Sequence, residues 1–352
     1  MQGKRWLLWL SALIAVLALA TVAAGCGGDD DDEEAADTAA ATTGGDTGAA
    51  GGEPIRVGLV TDIGGLNDRG FNSLANQGLE RAADELGVET RVLESKSDAD
   101  YIPNLSQLAE EGYDLIISVG FLMGEATEKA ATEFPDSDFA IIDFAYEAPA
   151  ANLQGLVFKE QEVGYLVGYL AGLKTETAVV SSVGGQKIPP VDRFIAGYAA
   201  GAKAANPDVQ TLNGYSQDFV DQAKCKEVAL DQIAKKSDIV FQVAGGCGLG
   251  ALDAAKEKGV LGIGVDADQG HLGDHILTSA QKKVDQAVFQ TIEKAANQEF
   301  EGGGVTVFGL AEDGVGPGEY NGDVTDEDKT KLDEIKQQII DGEIKIPETV
   351  KK

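Results

Sequence analysis

Three observations predict an α/β protein built from two doubly wound, parallel-sheet lobes. Beyond Ile55, short β-branched apolar runs alternate with longer helical patterns. The runs are continuously apolar, as strands covered by helices on both faces are, rather than alternating as half-exposed strands do. The body, residues 53–352, has the length of two ordinary domains. Strands are expected at 55–61, 114–120, 139–144, 178–183, 239–244 and 261–265. The clearest helix spans 72–86, where Leu74, Ala75, Leu79, Ala82, Ala83 and Leu86 recur at helical spacing. Strand–helix–strand repeats imply right-handed crossovers. The expected layout is a first lobe over 53–160, a second over 161–275, and crossover segments over 276–352 returning to both.

The N-terminus is a separate matter. Lys4 and Arg5 precede an apolar run over 6–22 that is short for a membrane span and ends in small residues, so residues 1–25 are read as a signal peptide. Ala23-Ala24-Gly25-Cys26 resembles the lipobox of bacterial lipoproteins, with Ala23 where Leu is usual; this implies a lipid anchor on Cys26 and an extracytoplasmic address at the cell membrane. Residues 26–52 hold no aromatic or large aliphatic side chain and form an acidic, glycine-rich tether. The acidic run 29–34 lacks the glycine-punctuated spacing of a calcium loop.

Removing Lys4 and Arg5 takes the formal charge from −31 to about −33, which disfavours nucleic acid, anionic lipid and highly charged phosphates as partners and favours neutral or cationic ligands. Outside the cytoplasm, Cys225 and Cys247 are expected to form a disulfide. His271 and His275 are the only histidines. Gly273 interrupts them and no third ligand is near, so a zinc site is not expected. No Ser/His/Asp or Cys/His arrangement and no Gly-Lys-Ser/Thr phosphate loop is present, so no catalytic residue, metal or cofactor is assigned.

Doubly wound sheets bind ligands beyond the carboxyl ends of their strands. Those positions hold the loop Asp62 to Asn72, then Gly120-Phe121, Asp143, Gly184-Gly185, Gly245-Gly246 and Asp266-Ala267-Asp268. Each has a structural alternative. Asn67 or Asp68 can serve as a helix cap; Phe71 and Phe194 can be core; Asp266 and Lys282 can be a surface ion pair of little consequence.

The segments Gly65-Leu66-Asn67-Asp68-Arg69-Gly70-Phe71-Asn72, Phe194-Ile195-Ala196-Gly197-Tyr198-Ala199-Ala200-Gly201-Ala202-Lys203 and Thr278-Ser279-Ala280-Gln281-Lys282, with the closing Gly342-Glu343-Ile344-Lys345-Ile346-Pro347, together resemble the basic membrane lipoprotein family. Its type member is the purine nucleoside receptor of a nucleoside ABC importer. The resemblance implies a type I periplasmic-binding-protein fold, two lobes with a hinged cleft, and an ABC transporter permease as partner. It also implies ligand contacts: Asn67 and Asp68 as a first-lobe polar pair whose Asp reads the purine edge, Phe71 and Phe194 on the two faces of the base, and Gly120, Phe121, Asp143, Gly245 or Gly246, Asp266 and Lys282 completing the site. The chemistry is consistent, since a flat base with a ribose asks for aromatic faces and hydrogen-bond acceptors. A sugar is the alternative ligand, and ligand sensing for a signalling partner the alternative role.

Overall fold

The computed structural model describes residues 54–350; the signal peptide, the tether and Cys26 lie outside the described residues. The chain begins with β1 (Arg56–Thr61), α1 (Phe71–Leu86), β2 (Glu89–Glu94), α2 (Tyr101–Glu110), β3 (Leu115–Val119), α3 (Gly124–Glu133), β4 (Asp138–Ile142) and β5 (Leu153–Phe158). There follow α4 (Glu160–Lys174), β6 (Val179–Gly184), α5 (Pro189–Ala205), β7 (Gln210–Tyr215), α6 (Gln222–Ala234), β8 (Ile239–Val243), α7 (Gly245–Lys258), β9 (Leu261–Asp266) and β10 (Ile276–Lys282). It closes with α8 (Val284–Ala296), β11 (Gly304–Phe308), β12 (Val315–Pro317) and α9 (Asp326–Ile340).

The strands form two six-stranded sheets, ordered β11-β5-β4-β3-β1-β2 and β12-β10-β9-β8-β6-β7. Apart from the antiparallel β12, the pairing is parallel in both. The two orders are the same when each lobe is read from its own first strand, so the lobes repeat one topology. The chain passes between them three times: Phe158 to Glu160, Lys282 to Val284, and Phe308 to Val315. Residues 276–352 thus supply β10 and β12 to one sheet and β11 to the other. Backbone hydrogen bonds from Lys159 to Phe308 and from Lys283 to Gly314 knit the three crossovers into one hinge.

The six expected strands are present within a residue or two. The expected extension of β4 to Phe144 fails because Asp143 takes a left-handed φ of 73° and breaks the pleat. The unanticipated β2 and β7 are edge strands with no fully buried position, so their sequences, ETRVLE and QTLNGY, carry no apolar run. In β10 the buried Thr278 and Ser279 are polar, which hid that strand too.

Helices α4 and α5 approach with almost no space between them. Gly164, Gly168 and Gly172 face the carbonyls of Phe194, Tyr198 and Ala202, and a Cβ at Gly168 would stand 2.1 Å from the Tyr198 oxygen. This contact sets Glu160, the first residue of α4, beside Arg193 of α5. Cys225 on α6 and Cys247 on α7 are disulfide-bonded, with Cα atoms 5.6 Å apart. Their sequence separation of 22 predicts a loss of roughly 3 kcal/mol for the Cys225→Ser/Cys247→Ser chain. Urea unfolding without reductant checks this; an unchanged midpoint would show that the bridge contributes nothing to stability.

Candidate functional site

Between the strand ends of the two sheets lies a cleft, where doubly wound sheets bind their ligands. Both lobes wall it. The first contributes Asp62 after β1, Gly120 and Phe121 after β3, Asp143 after β4, and Asp68, Phe71 and Asn72 at the start of α1. The second contributes Phe194, Phe219, Gly245, Gly246, Asp266 and Lys282. The lobes meet here directly, since Gly70 backs onto Asp266 and Gly246 onto Asp68.

Backbone geometry delivers the carboxylates. Asp143 and Asp266 close the same strand position of their respective sheets, and both hold left-handed φ values, 73° and 62°, which turn their side chains off the sheet into the cleft. Gly120 has φ 117°, and a Cβ there would meet Asp62 Oδ2 at 2.6 Å, so glycine is required on both counts. Asn72 Nδ2 donates to Asp62 Oδ1 at 2.9 Å, and the buried Asn72 Oδ1 has no partner.

Lys282, 1 % exposed, ends β10 at the hinge. Its Nζ donates to Asp143 Oδ2 at 2.7 Å and Glu160 Oε1 at 2.9 Å, and lies 5.2 Å from the Phe71 ring centre and 5.9 Å from that of Phe194. Burial alone would lower the pKa of this amine, but Asp143, Glu160 and Asp266 outweigh it and raise it, so Lys282 stays an ammonium. Burial pushes Asp266 up to about 7, against the pull of Lys282 and with the repulsion of Asp143, Asp68 and Glu160. Burial likewise raises Asp62 to about 6, opposed by its bonds from Asn72 and Gly64, and raises Asp143, with Lys282 limiting the rise.

Of the eleven residues singled out as ligand contacts, ten line this cleft: Asp68, Phe71, Gly120, Phe121, Asp143, Phe194, Gly245, Gly246, Asp266 and Lys282. Asn67 does not. It is exposed and lines a separate groove with Arg69 and Lys256. The reason is local: Asp68 turns inward to accept the backbone N–H groups of Gly70, Asn72 and Ser73, at 3.0, 2.7 and 3.1 Å, and its neighbour Asn67 faces out. Asp68 therefore caps α1 while lining the cleft, and Phe194 packs edge-on against Phe241 in the core while doing so. Asp266 and Lys282 are buried, and no surface pair exists. Sequence reasoning passed over Asp62 and Asn72, although both lie in the loop it singled out after β1. It also missed Phe219, from a loop behind an edge strand, and Glu160, which carried no signal.

Two lobes of one topology, three crossovers and a cleft at the strand ends lined by apolar side chains and buried carboxylates are the architecture of a two-lobe solute-binding protein. A family model described as "ABC transporter substrate-binding protein PnrA-like" matches residues 55–350, and the chain belongs to that family. A "CD4+ T-cell-stimulating antigen" of Listeria monocytogenes is 36% identical over 314 residues, 83% of this chain and 88% of the relative. The "ABC transporter nucleoside-binding protein BmpA" of Lactococcus lactis is 33% identical over 315 residues, 83% of this chain and 89% of the relative. An ABC transporter solute-binding protein of known structure from Aeropyrum pernix superposes with a TM-score of 0.78 at 30% identity, covering 85% of this chain and 94% of that one. The protein is an ABC transporter substrate-binding protein, and among the described residues no helix is long and apolar enough to cross a membrane.

The raised Asp266 sets a pH dependence. A carboxyl with a folded pKa of about 7 against an ordinary 3.8 contributes stability that is fully present below the ordinary value and is lost as pH rises through about 7. Asp266→Asn removes that loss. The variant's melting temperature, without ligand, is expected to gain on the parent's as pH rises through this window, and a constant difference would refute the assignment.

Proposed function

We propose that the chain is a lipid-anchored, extracytoplasmic receptor that captures a purine nucleoside in the cleft and delivers it to an ABC importer permease. The observation that carries this reading is the set of aromatic walls from opposite lobes, Phe71 and Phe121 from one and Phe194 and Phe219 from the other, around buried carboxylates. A base needs apolar faces on both sides, and its ribose offers hydroxyl donors that carboxylates accept in charge-assisted bonds. Asp143 and Asp266, beside Lys282, suit the ribose. Asp62 and the unpartnered Asn72 Oδ1 suit donors on a base edge. The same concentration of carboxylates repels phosphate, which favours nucleosides over nucleotides. The nucleoside-binding name of the Lactococcus lactis relative supports the ligand class, and the lipobox-like segment ending in Cys26 supports the anchor.

Closure of the lobes around ligand is the signal a permease can read, because a ligand touching both lobes stabilises the closed state over the open one. Thermal-shift screening of purine and pyrimidine nucleosides, free bases, nucleotides and sugars, followed by calorimetry, tests the ligand, since a compound that binds the native state raises its melting temperature. Purine nucleosides are expected to shift it most. Phe71→Ala and Phe194→Ala are each expected to weaken nucleoside binding by roughly 1–3 kcal/mol, by analogy with bases stacked on aromatics. Stabilisation by sugars alone would keep the receptor and discard the base pocket. For the anchor, metabolic labelling with radioactive palmitate should mark the parent and not Cys26→Ser; equal labelling would place the lipid elsewhere.

A further inference from the structure

Lys282 is held by more than its ligand-facing neighbours. Glu160, 0 % exposed, bonds Lys282 Nζ through Oε1 and accepts Arg193 Nε at 2.5 Å through Oε2. Asp143 and Glu160 thus balance Lys282 and Arg193, two buried anions with two cations, and the chain of contacts runs from the first lobe, at Asp143, into the second, at Arg193. An ammonium has three N–H donors and no acceptor. Two are directed at Asp143 and Glu160, which leaves one for the cleft that Lys282 lines. Glu160 itself does not line the cleft.

We infer that Glu160, anchored by Arg193, is a positioning residue for ligand capture: it fixes the Lys282 ammonium so that its remaining donor faces the cleft, and so holds the contact of Lys282 with the first lobe's Asp143 at the hinge. This deepens the reading of the cleft as the ligand site and rests on it. The physical ground is that a long, buried lysine with one partner removed keeps its charge but loses its orientation, and is free to turn towards Asp266. The close α4–α5 contact is what brings Arg193 within reach of Glu160. A purely structural role for Glu160 would alter stability and leave the inosine affinity of the folded protein unchanged, whereas a positioning role lowers that affinity. The charges acting on Asp266 are Asp68 from the β1–α1 loop, Asp143 from the end of β4, Glu160 from α4 and Lys282 from β10. Removing Glu160 deletes one repulsive charge and frees Lys282, so Asp266 ionises at lower pH.

The test is calorimetry of the full chain in detergent with inosine as probe, over a pH series, for the parent, Glu160→Gln and Glu160→Gln/Arg193→Met. The double variant leaves no unpaired charge, so it guards against Glu160→Gln failing to fold. Both are expected to bind inosine roughly tenfold or more weakly, in the range of couplings between contacting residues, and to show the pH midpoint of affinity at a lower pH. Parental affinity in a folded double variant would overturn the positioning role. If the parent binds no purine nucleoside, the nucleoside reading falls, and the positioning role as stated falls with it. If the parent binds inosine, loses affinity on Phe71→Ala and is indifferent to both Glu160 variants, only the positioning role falls.

Discussion

Burying the Lys282 ammonium between two lobes constrains most of what surrounds it. A charge taken out of water is tolerated only with compensating charge and hydrogen bonds, and here the compensation comes from separate elements: Asp143 at the end of β4, Glu160 at the start of α4, and behind Glu160 the Arg193 of α5. Lys282 and Glu160 lie where the chain crosses between the lobes, and Asp143 and Arg193 reach them from within the two lobes. The hinge and the floor of the cleft are therefore the same place, and anything bound against Lys282 touches the elements about which the lobes would move.

The repetition of one sheet order in both lobes gives the cleft its two similar walls. Asp143 and Asp266 occupy matching strand ends with the same unusual backbone conformation, and Phe71 and Phe194 come from the first helix after the first strand of each sheet. Burial holds Asp266 and Asp62 above the ordinary carboxylate range, and repulsion among carboxylates facing one another in this way adds to the shift. A neutral ligand that donates hydrogen bonds relieves that repulsion without adding negative charge. A ligand bound in the cleft would touch both lobes through these same groups, and so would favour a closed arrangement over an open one.

The legible part of the site was the part written in local chemistry. Glycine and aspartate directly after apolar runs mark strand ends, so Gly120, Asp143, Gly245, Gly246 and Asp266 could be found from position alone. The Asn67-Asp68 pair shows the limit. Both residues have cap-forming side chains, and which one turns inward was decided by the three backbone amides that capture Asp68. Glu160 reads in sequence as an ordinary acidic residue in the first turn of a helix, and only the contact between α4 and α5 makes it a buried partner of two cations. Phe219 was hidden for a different reason, since nothing in a loop behind a polar edge strand says which way its ring will point.

The sequence by itself determined the α/β class, the central strands and the first helix, because hydrophobic periodicity is a local property set by what covers each element. It also determined that strand ends would be rich in glycine and carboxylates. Tertiary structure alone decided the edge strands, the pairing of Glu160 with Arg193 and Lys282, and the opposite directions of Asn67 and Asp68. Those depend on which distant segments come to lie together, and burial, charge pairing and the free energy of a polar group are fixed only once its neighbours are.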